Sequence, residues 1–302
     1  MNERPRKTTT VPTRPLIPGP RYDPAISYKV VAALFDVDNT LVDGDTPDVP
    51  TKRFKSAVHA ARGTIKVSIA SARPLSKVAH IIDYVGADGL AILSNGAQIY
   101  DCFAKEMVAE FRVKKATCAF IVSKLAELGV DYWVNDDGVD YFSTGTSVFA
   151  RQKDIWNQKG GLVPAPEYTF VKPLVIVAHA VTGEVAQKIN EFVKLSGDTT
   201  ATSYIAHELI QKDGSKLYDV FVTHMLANKK AALHEVAKRQ QLDLHNVMVV
   251  GDGRNDVDII EAVGVGVAMG NSAKETLEAA VFIAPDQRND GAAVALEYFT
   301  QL

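Results

Sequence analysis

Six apolar residues in succession, Val30-Val31-Ala32-Ala33-Leu34-Phe35, run straight into Asp36-Val37-Asp38. A strand that is apolar on both faces suits the middle of a parallel sheet with helices packed on either side, and suits a half-solvated antiparallel sheet poorly. The following text alternates accordingly. Residues 50–61 read as a helix with Phe54, Ala57, Val58 and Ala61 on one stripe, 64–70 as a strand, 74–85 as a helix and 89–93 as a strand. The same rhythm returns late in the chain: helix 229–238, strand 247–250, helix 256–263, strand 265–269, helix 272–280, strand 281–284 and helix 291–299. The fold class this predicts is α/β, with a doubly wound parallel sheet.

Between the two stretches the pattern changes. Residues 98–101 and 105–111 read as a hairpin, 115–128 as a helix and 131–134 as a strand before the turn signal Asn135-Asp136-Asp137-Gly138. Strand 170–180, helix 183–195 and strands 202–211 and 217–221 follow, so neighbouring strands lie together as in an α+β unit. A chain of 302 residues, 47% hydrophobic, can bury about two cores. The expected division is a core of residues 28–101 and 225–302 interrupted by an α+β insertion, 102–224. Residues 1–27 hold six of the thirteen prolines and five basic residues without apolar periodicity, which predicts a disordered tail. They contain no apolar stretch of the kind a secretory signal needs.

Charge and cysteine usage narrow the partners. The net charge is −3, with both signs mixed, a poor basis for binding nucleic acid through its phosphates. No apolar run approaches the roughly 18 residues of a membrane span. Cys102 and Cys118 stand in no metal-binding or redox spacing, so a disulfide framework is not expected and a cytoplasmic setting fits.

Open α/β sheets bind ligands beyond the carboxyl ends of their strands, and that is where this chain puts acids. Asp36 and Asp38 follow the first buried strand; Asp252 and Asp256, in Gly251-Asp252-Gly253-Arg254-Asn255-Asp256, follow a later one. Carboxylates gathered at one edge repel and raise one another's pKa values. A hard divalent cation such as Mg²⁺ resolves that conflict, and with no His or Cys beside them zinc is disfavoured. An acid pair with one residue between is weak by itself: it recurs at Asp43/Asp45, read as a solvated turn, and at Asp256/Asp258. The glycine-flanked segment is far more specific, although Asn255 or Asp256 could also cap a helix there. Ser71, ending a strand just before Pro74, could hold a phosphate at a helix N-terminus or simply cap that helix. Residues 135–138 read as a hairpin turn in preference to a calcium loop.

These segments, in this order, resemble the haloacid dehalogenase superfamily: the acid pair its first motif, Ser71 its second, Lys229 its third and the Gly251–Asp256 run its fourth. The closer likeness is to the Cof-type sugar-phosphatase branch with a class IIB α+β cap. Asn95-Gly96 resembles that branch's entry into the cap. Gly266-Val267-Ala268-Met269-Gly270-Asn271 and Asp290-Gly291 resemble two of its later segments. There are departures. Asn39 stands where glycine is usual, Ser71-Ala72-Arg73 replaces Thr-Gly-Arg, and Lys230 replaces a glycine, so either Lys229 or Lys230 could face the phosphate.

The resemblance implies a Rossmann-like core and a Mg²⁺-dependent phosphatase, a phosphoric monoester hydrolase acting on a small phosphorylated metabolite, with a sugar phosphate foremost. It implies an aspartyl-phosphate on Asp36 and a general acid/base in Asp38. Metal ligands would be the side chains of Asp36 and Asp252 and the main-chain carbonyl of Asp38. Ser71, Asn255 and Lys229 would bind the phosphoryl group, with Asp256 behind them, and Arg73 and Asn95 would touch substrate. A phosphotransferase such as a phosphomutase, or a catalytically silent phosphate-binding regulator, could share these motifs. A receiver-type signalling module would need neither Asp38 nor the insertion. In the insertion, Trp133, Tyr141, Trp156, His179, His207 and Glu208 could face substrate or simply pack.

Overall fold

The computed structural model describes residues 15–44, 48–143, 162–164, 169–205 and 214–301, with the main chain alone for 162–164 and 203–205. In chain order its strands are β1 (Ile17–Pro18), β2 (Ala32–Phe35), β3 (Lys66–Ile69), β4 (Leu90–Leu93), β5 (Gln98–Asp101) and β6 (Glu106–Glu110). Then come β7 (Tyr132–Asp136), β8 (Val139–Phe142), β9 (Leu162–Pro164), β10 (Pro173–Val181), β11 (Thr199–Ile205) and β12 (Tyr218–His224). The last three are β13 (Val247–Gly251), β14 (Val265–Ala268) and β15 (Phe282–Ile283).

The first sheet runs β1-β15-β14-β13-β2-β3, and every pairing except that of β1 is parallel. β2 is buried along its whole length, as its unbroken apolar run requires. Ala33 and Phe35 face one core cluster and Ala32 and Leu34 the other, the two-residue period of a strand covered on both sides. Helices Lys52–Ala61, Leu75–Val85 and Gly291–Thr300 cover the first face; Lys229–Gln240 and Val257–Glu261 cover the second. A parallel bridge, Ala70 to Ile92, carries the sheet on into the antiparallel set β4-β5-β6.

Two boundaries differ from the sequence reading. β6 hydrogen-bonds to β5, and its Val108 and Ala109 pack on the second core face, so the hairpin goes with the core and the inserted sheet starts beyond Glu110 rather than at 102. The expected tail is structured over its last part. β1 adds antiparallel to β15, and Tyr22 and Tyr28 lie against Phe282 with ring centroids 5.3 and 5.1 Å away. Proline is tolerated there because β1 is an edge strand. Residues 1–14 are outside the described residues.

The inserted sheet runs β11-β12-β10-β7-β8-β9. Residues 137 and 138, both at positive φ (54° and 87°), make the two-residue hairpin turn that Asp-Gly favours. Tyr132, Val134, Ile176, Ala178, Val220 and Val222 pack under helices Lys115–Glu127 and Gly183–Lys194 in a third core. The alternate residues, Trp133, Asn135, Val175, Phe221 and Thr223, line a crevice against the α/β core. Ser76 donates from the core to the carbonyl of Gly138 across the same junction (2.9 Å). No helix among the described residues is long and apolar enough to cross a membrane.

Candidate active site

Register fixes the acids. Phe35 pairs with Val250 in the parallel β2–β13 ladder, and the N–H of Asp36 donates to the carbonyl of Val250 (2.8 Å). Asp36 and Asp252 therefore leave neighbouring strands at one carboxyl end. The loop after Asp36 turns at Asn39, whose φ of 56° is the left-handed conformation that asparagine tolerates better than most residues. That turn lets Thr40 reach across and donate to Asp252 Oδ1 (2.9 Å).

The two glycines around Asp252 have a steric cause. A Cβ on Gly251 would collide with the Asp256 carboxyl group, and one on Gly253 with Asn255 Oδ1. Their absence lets the segment fold back, so that Asp256 Oδ2 accepts from Gly253 N–H (3.1 Å) and Asp256 Oδ1 accepts from Lys229 Nζ (2.6 Å). Lys229 Nζ also donates to Asp36 Oδ1 (2.8 Å). Lys229, Asp36 and Asp256 are 4, 6 and 0% exposed, whereas the adjacent Lys230 is exposed. Between the two lysines, the structure thus puts Lys229 beside the acids.

The loop after β3 lies against the loop after β4. Asn95 N–H donates to the carbonyl of Ser71 (3.1 Å), and Ser94 N–H to that of Arg73 (2.9 Å). Ser71 is fully buried, and its Oγ accepts from Arg73 N–H (3.1 Å); a hydroxyl that accepts still has its proton to donate. Asn95, at a φ of 57°, lines a cleft of about 250 Å³ together with Lys229, Asn255, Lys230, Arg254 and Asp258. Gly96 beside it abuts the main chain of Asn228, where any Cβ would clash, and Asn228 caps the helix that begins with Lys229. Arg73, expected to touch substrate, reaches the second acid of the pair, Asp38. Its Nε lies 3.2 Å and its Nη2 2.5 Å from Asp38 Oδ1, and Nη2 also donates to the carbonyl of Gly44 (3.0 Å).

Asp36, Asp252 and Asp256 each present an oxygen within 4.8 Å of the others. Burial, reinforced by Asp256 and opposed by Lys229, pushes the Asp36 carboxyl up to about 6. Burial, and next the charge of Asp36, pushes Asp252 up to about 7. One ammonium thus faces three carboxylates, and the donors are all oxygen, a set that fits a hard divalent cation. Both oxygens of Asp256 already accept from Lys229 and Gly253. That leaves Asp36 and Asp252 as the fitting side-chain ligands, with Asp256 orienting Lys229. The Asp38 side chain is turned to Arg73.

Several contacts here went unread in the sequence: Thr40 on Asp252, Asn271 bridging the Asn39 carbonyl (2.9 Å) and Gln287 N–H (3.0 Å), and the crevice row of the inserted sheet apart from Trp133. Of the candidates in the insertion, Trp133 lines the crevice, Tyr141 packs into the third core and His179 pairs with Asp219 (2.7 Å). Asp45, Trp156, His207, Glu208 and the end of the expected 202–211 strand lie outside the described residues. Asp43 is exposed, 3.8 Å from Arg288.

Acids at adjoining ends of a doubly wound sheet, with Asp36 tied to a buried lysine, form a charged site at the place where such sheets bind ligands. The sequence profile of the haloacid dehalogenase-like hydrolases matches residues 33–296, and the chain belongs to that family. It is 25% identical over 278 residues to YxeH of Bacillus subtilis (strain 168), a phosphatase by name, covering 89% of this chain and 97% of that one. Its fold is similar to that of a phosphatase of the same superfamily from Bacteroides thetaiotaomicron (TM-score 0.73, 22% identity, 93% and 99% of the two chains). It is similar too to the fold of a subclass IIB sugar phosphatase (TM-score 0.70, 18% identity, 90% and 100%).

Proposed function

We propose that this enzyme is a Mg²⁺-dependent phosphatase that hydrolyses a small phosphorylated metabolite, a sugar phosphate foremost, in the cytoplasm. The observation that carries the reading is the donation of Lys229 Nζ to Asp36 (2.8 Å) and to Asp256 (2.6 Å), with Asp252 at the neighbouring strand end and Asp38 two residues on.

Asp36 is the nucleophile. Its carboxylate oxygen bonds to phosphorus as the bond to the leaving oxygen breaks, giving an aspartyl-phosphate and dividing one hard step into two. Asp38 gives its proton to the departing alkoxide and later takes one from the water that attacks the aspartyl-phosphate. That water releases inorganic phosphate and restores Asp36. General acid/base help of this kind contributes roughly 10²–10⁴-fold. Lys229 offsets the charge of the phosphoryl group, to which Ser71 and Asn255 donate. Asp36, Asp252 and the Asp38 carbonyl would hold Mg²⁺, whose charge offsets the repulsion between carboxylate and phosphate when it is bound.

The test is phosphate release with no acceptor alcohol present. Asp36→Asn should abolish it while the folded signal by circular dichroism stays; near-normal turnover in that variant would refute the assignment. Release that requires an added sugar would make the enzyme a phosphotransferase instead.

A further inference from the structure

Asn39 stands where glycine is usual in this family, and its side chain does what a glycine could not. Glycine would take the φ of 56° as readily. It would not accept from Gly44 N–H, as Asn39 Oδ1 does (3.1 Å). With Asn39 N–H on the Val42 carbonyl (2.7 Å), that bond closes the loop from Asp38 to Gly44. The Gly44 carbonyl in turn accepts from Arg73 Nη2 (3.0 Å), and the same guanidinium is forked onto Asp38. Asn39, Gly44, Arg73 and Asp38 thus form a closed circuit of hydrogen bonds and chain.

Asn271, in the loop after β14, holds this circuit from outside. Its Nδ2 donates to the Asn39 carbonyl (2.9 Å) and its Oδ1 accepts from Gln287 N–H (3.0 Å). Reversing the amide would set oxygen on oxygen and N–H on N–H, so the two contacts fix its orientation. The same loop is anchored beside Asp252. Met269 N–H donates to the Gly251 carbonyl (3.0 Å) and Ala273 N–H to that of Asp252 (3.3 Å). Asn39 and Asn271 are both exposed and line, with Asp43, Gln287 and Arg288, an open recess of about 430 Å³. Water fills a recess of that size and polarity. On this side the Asp38–Gly44 loop is therefore confined by its hydrogen bonds rather than by apolar packing.

We propose that the amides of Asn39 and Asn271 are positioning groups: they clamp the Asp38–Gly44 loop so that Arg73 keeps Asp38 aimed for proton transfer to the leaving group. The inference rests on the reading of Asp38 as general acid/base and names what aims it. Each amide acts through main-chain groups of the loop. Cutting the bond from Asn39 to Gly44 lets the Gly44 carbonyl drift from Arg73 and loosens the fork on Asp38. Cutting the bond from Asn271 lets the whole turn shift into the recess.

Two esters test it: glucose 6-phosphate, whose leaving alkoxide needs a proton, and p-nitrophenyl phosphate, whose phenolate does not. Asn39→Gly and Asn271→Ala should each lower the ratio of kcat on the first to kcat on the second by about 2- to 10-fold, the range of one net hydrogen bond, with KM unchanged. Asn39→Asp keeps an oxygen for Gly44 and tolerates the left-handed turn, so it should keep the wild-type ratio. In an Arg73→Met background neither Asn39→Gly nor Asn271→Ala should lower the ratio further, because no guanidinium is left to hold. Thermal melts check that each variant is folded, and both substitutions fall at exposed positions. Equal losses on the two esters, or losses undiminished without Arg73, overturn the proposal while leaving the phosphatase reading standing. Release of phosphate from neither ester by the wild-type enzyme overturns both.

Discussion

The Arg73 guanidinium is forked onto Asp38, with Nε at 3.2 Å and Nη2 at 2.5 Å from the same carboxylate oxygen, and is itself only 4% exposed. Such a contact holds the proposed acid/base in one orientation and limits its swing toward solvent. Arg73→Met should therefore slow hydrolysis of alkyl phosphates, whose leaving group needs a proton, by roughly 10–100-fold out of the general-acid contribution. Hydrolysis of p-nitrophenyl phosphate, whose leaving group departs as a stable phenolate, should fall less. Equal losses on both esters would reduce Arg73 to a packing role. Arg73→Lys should restore little, because an ammonium cannot fork.

Lys229 neutralises two buried carboxylates, so its removal leaves both without their cation. Lys229→Met should cost about 3–5 kcal/mol of stability, the range for breaking one side of a buried ion pair. It should also abolish turnover. Pairing it with Asp256→Leu removes one of the stranded charges and should return much of the stability without returning activity. Urea unfolding and phosphate release, measured on the same samples, separate the two effects.

The acid cluster also sets how stability depends on pH. Asp36 and Asp252 titrate at about 6 and about 7 in the folded protein, both above the ordinary carboxylate range, chiefly because they are buried. Between about pH 4 and pH 7 the folded state thus holds protons that the unfolded chain has lost, and stability falls as pH rises through that window. A divalent cation needs the ionised carboxylates and reverses the trend. Thermal melts in EDTA should show a lower midpoint at pH 8 than at pH 5. Added Mg²⁺ should raise the midpoint by several degrees at pH 8 and by less at pH 5. A midpoint in EDTA that is higher at pH 8 would contradict the assignment.

The parallel sheet was legible because each strand apolar on both faces announces itself within a few residues, as residues 30–35 do. The acids were legible because the strands end on them. Contacts that depend on how loops meet were not. Arg73 lies 35 residues from Asp38, and no spacing in the chain says that its side chain turns to that carboxylate rather than to the cleft. Thr40 and Asp252 are 212 apart, joined only through the register of β2 on β13. The crevice row carried a faint signal: Trp133 and Asn135, and Phe221 and Thr223, alternate with the buried Val134 and Val222. Which of the two faces looks at the core, however, depends on packing of the whole insertion. Composition misjudged the tail for the opposite reason. Prolines suggested disorder to residue 27, while the apolar edge at Phe282 gives Leu16, Tyr22 and Tyr28 something to cover.

That edge yields a last expectation. Tyr22 and Tyr28 stack on each other (5.6 Å between centroids) and both meet Phe282 edge-on, while Arg21 Nη1 donates to the carbonyl of Ala279 (3.0 Å). Each such aromatic pair contributes about 0.5–1.5 kcal/mol beyond area burial. The segment also covers the edge strand β15, which would otherwise offer unpaired main-chain groups to another molecule. A chain shortened to begin at Lys29 should unfold at lower urea, by about 2 kcal/mol on the scale of those ring contacts. It should also associate at concentrations where the full chain does not, as light scattering would show. Its turnover per folded molecule should be unchanged, since none of these groups reaches the acids. A shortened chain as stable as the full one would mean that the segment only rests on the sheet, without holding it.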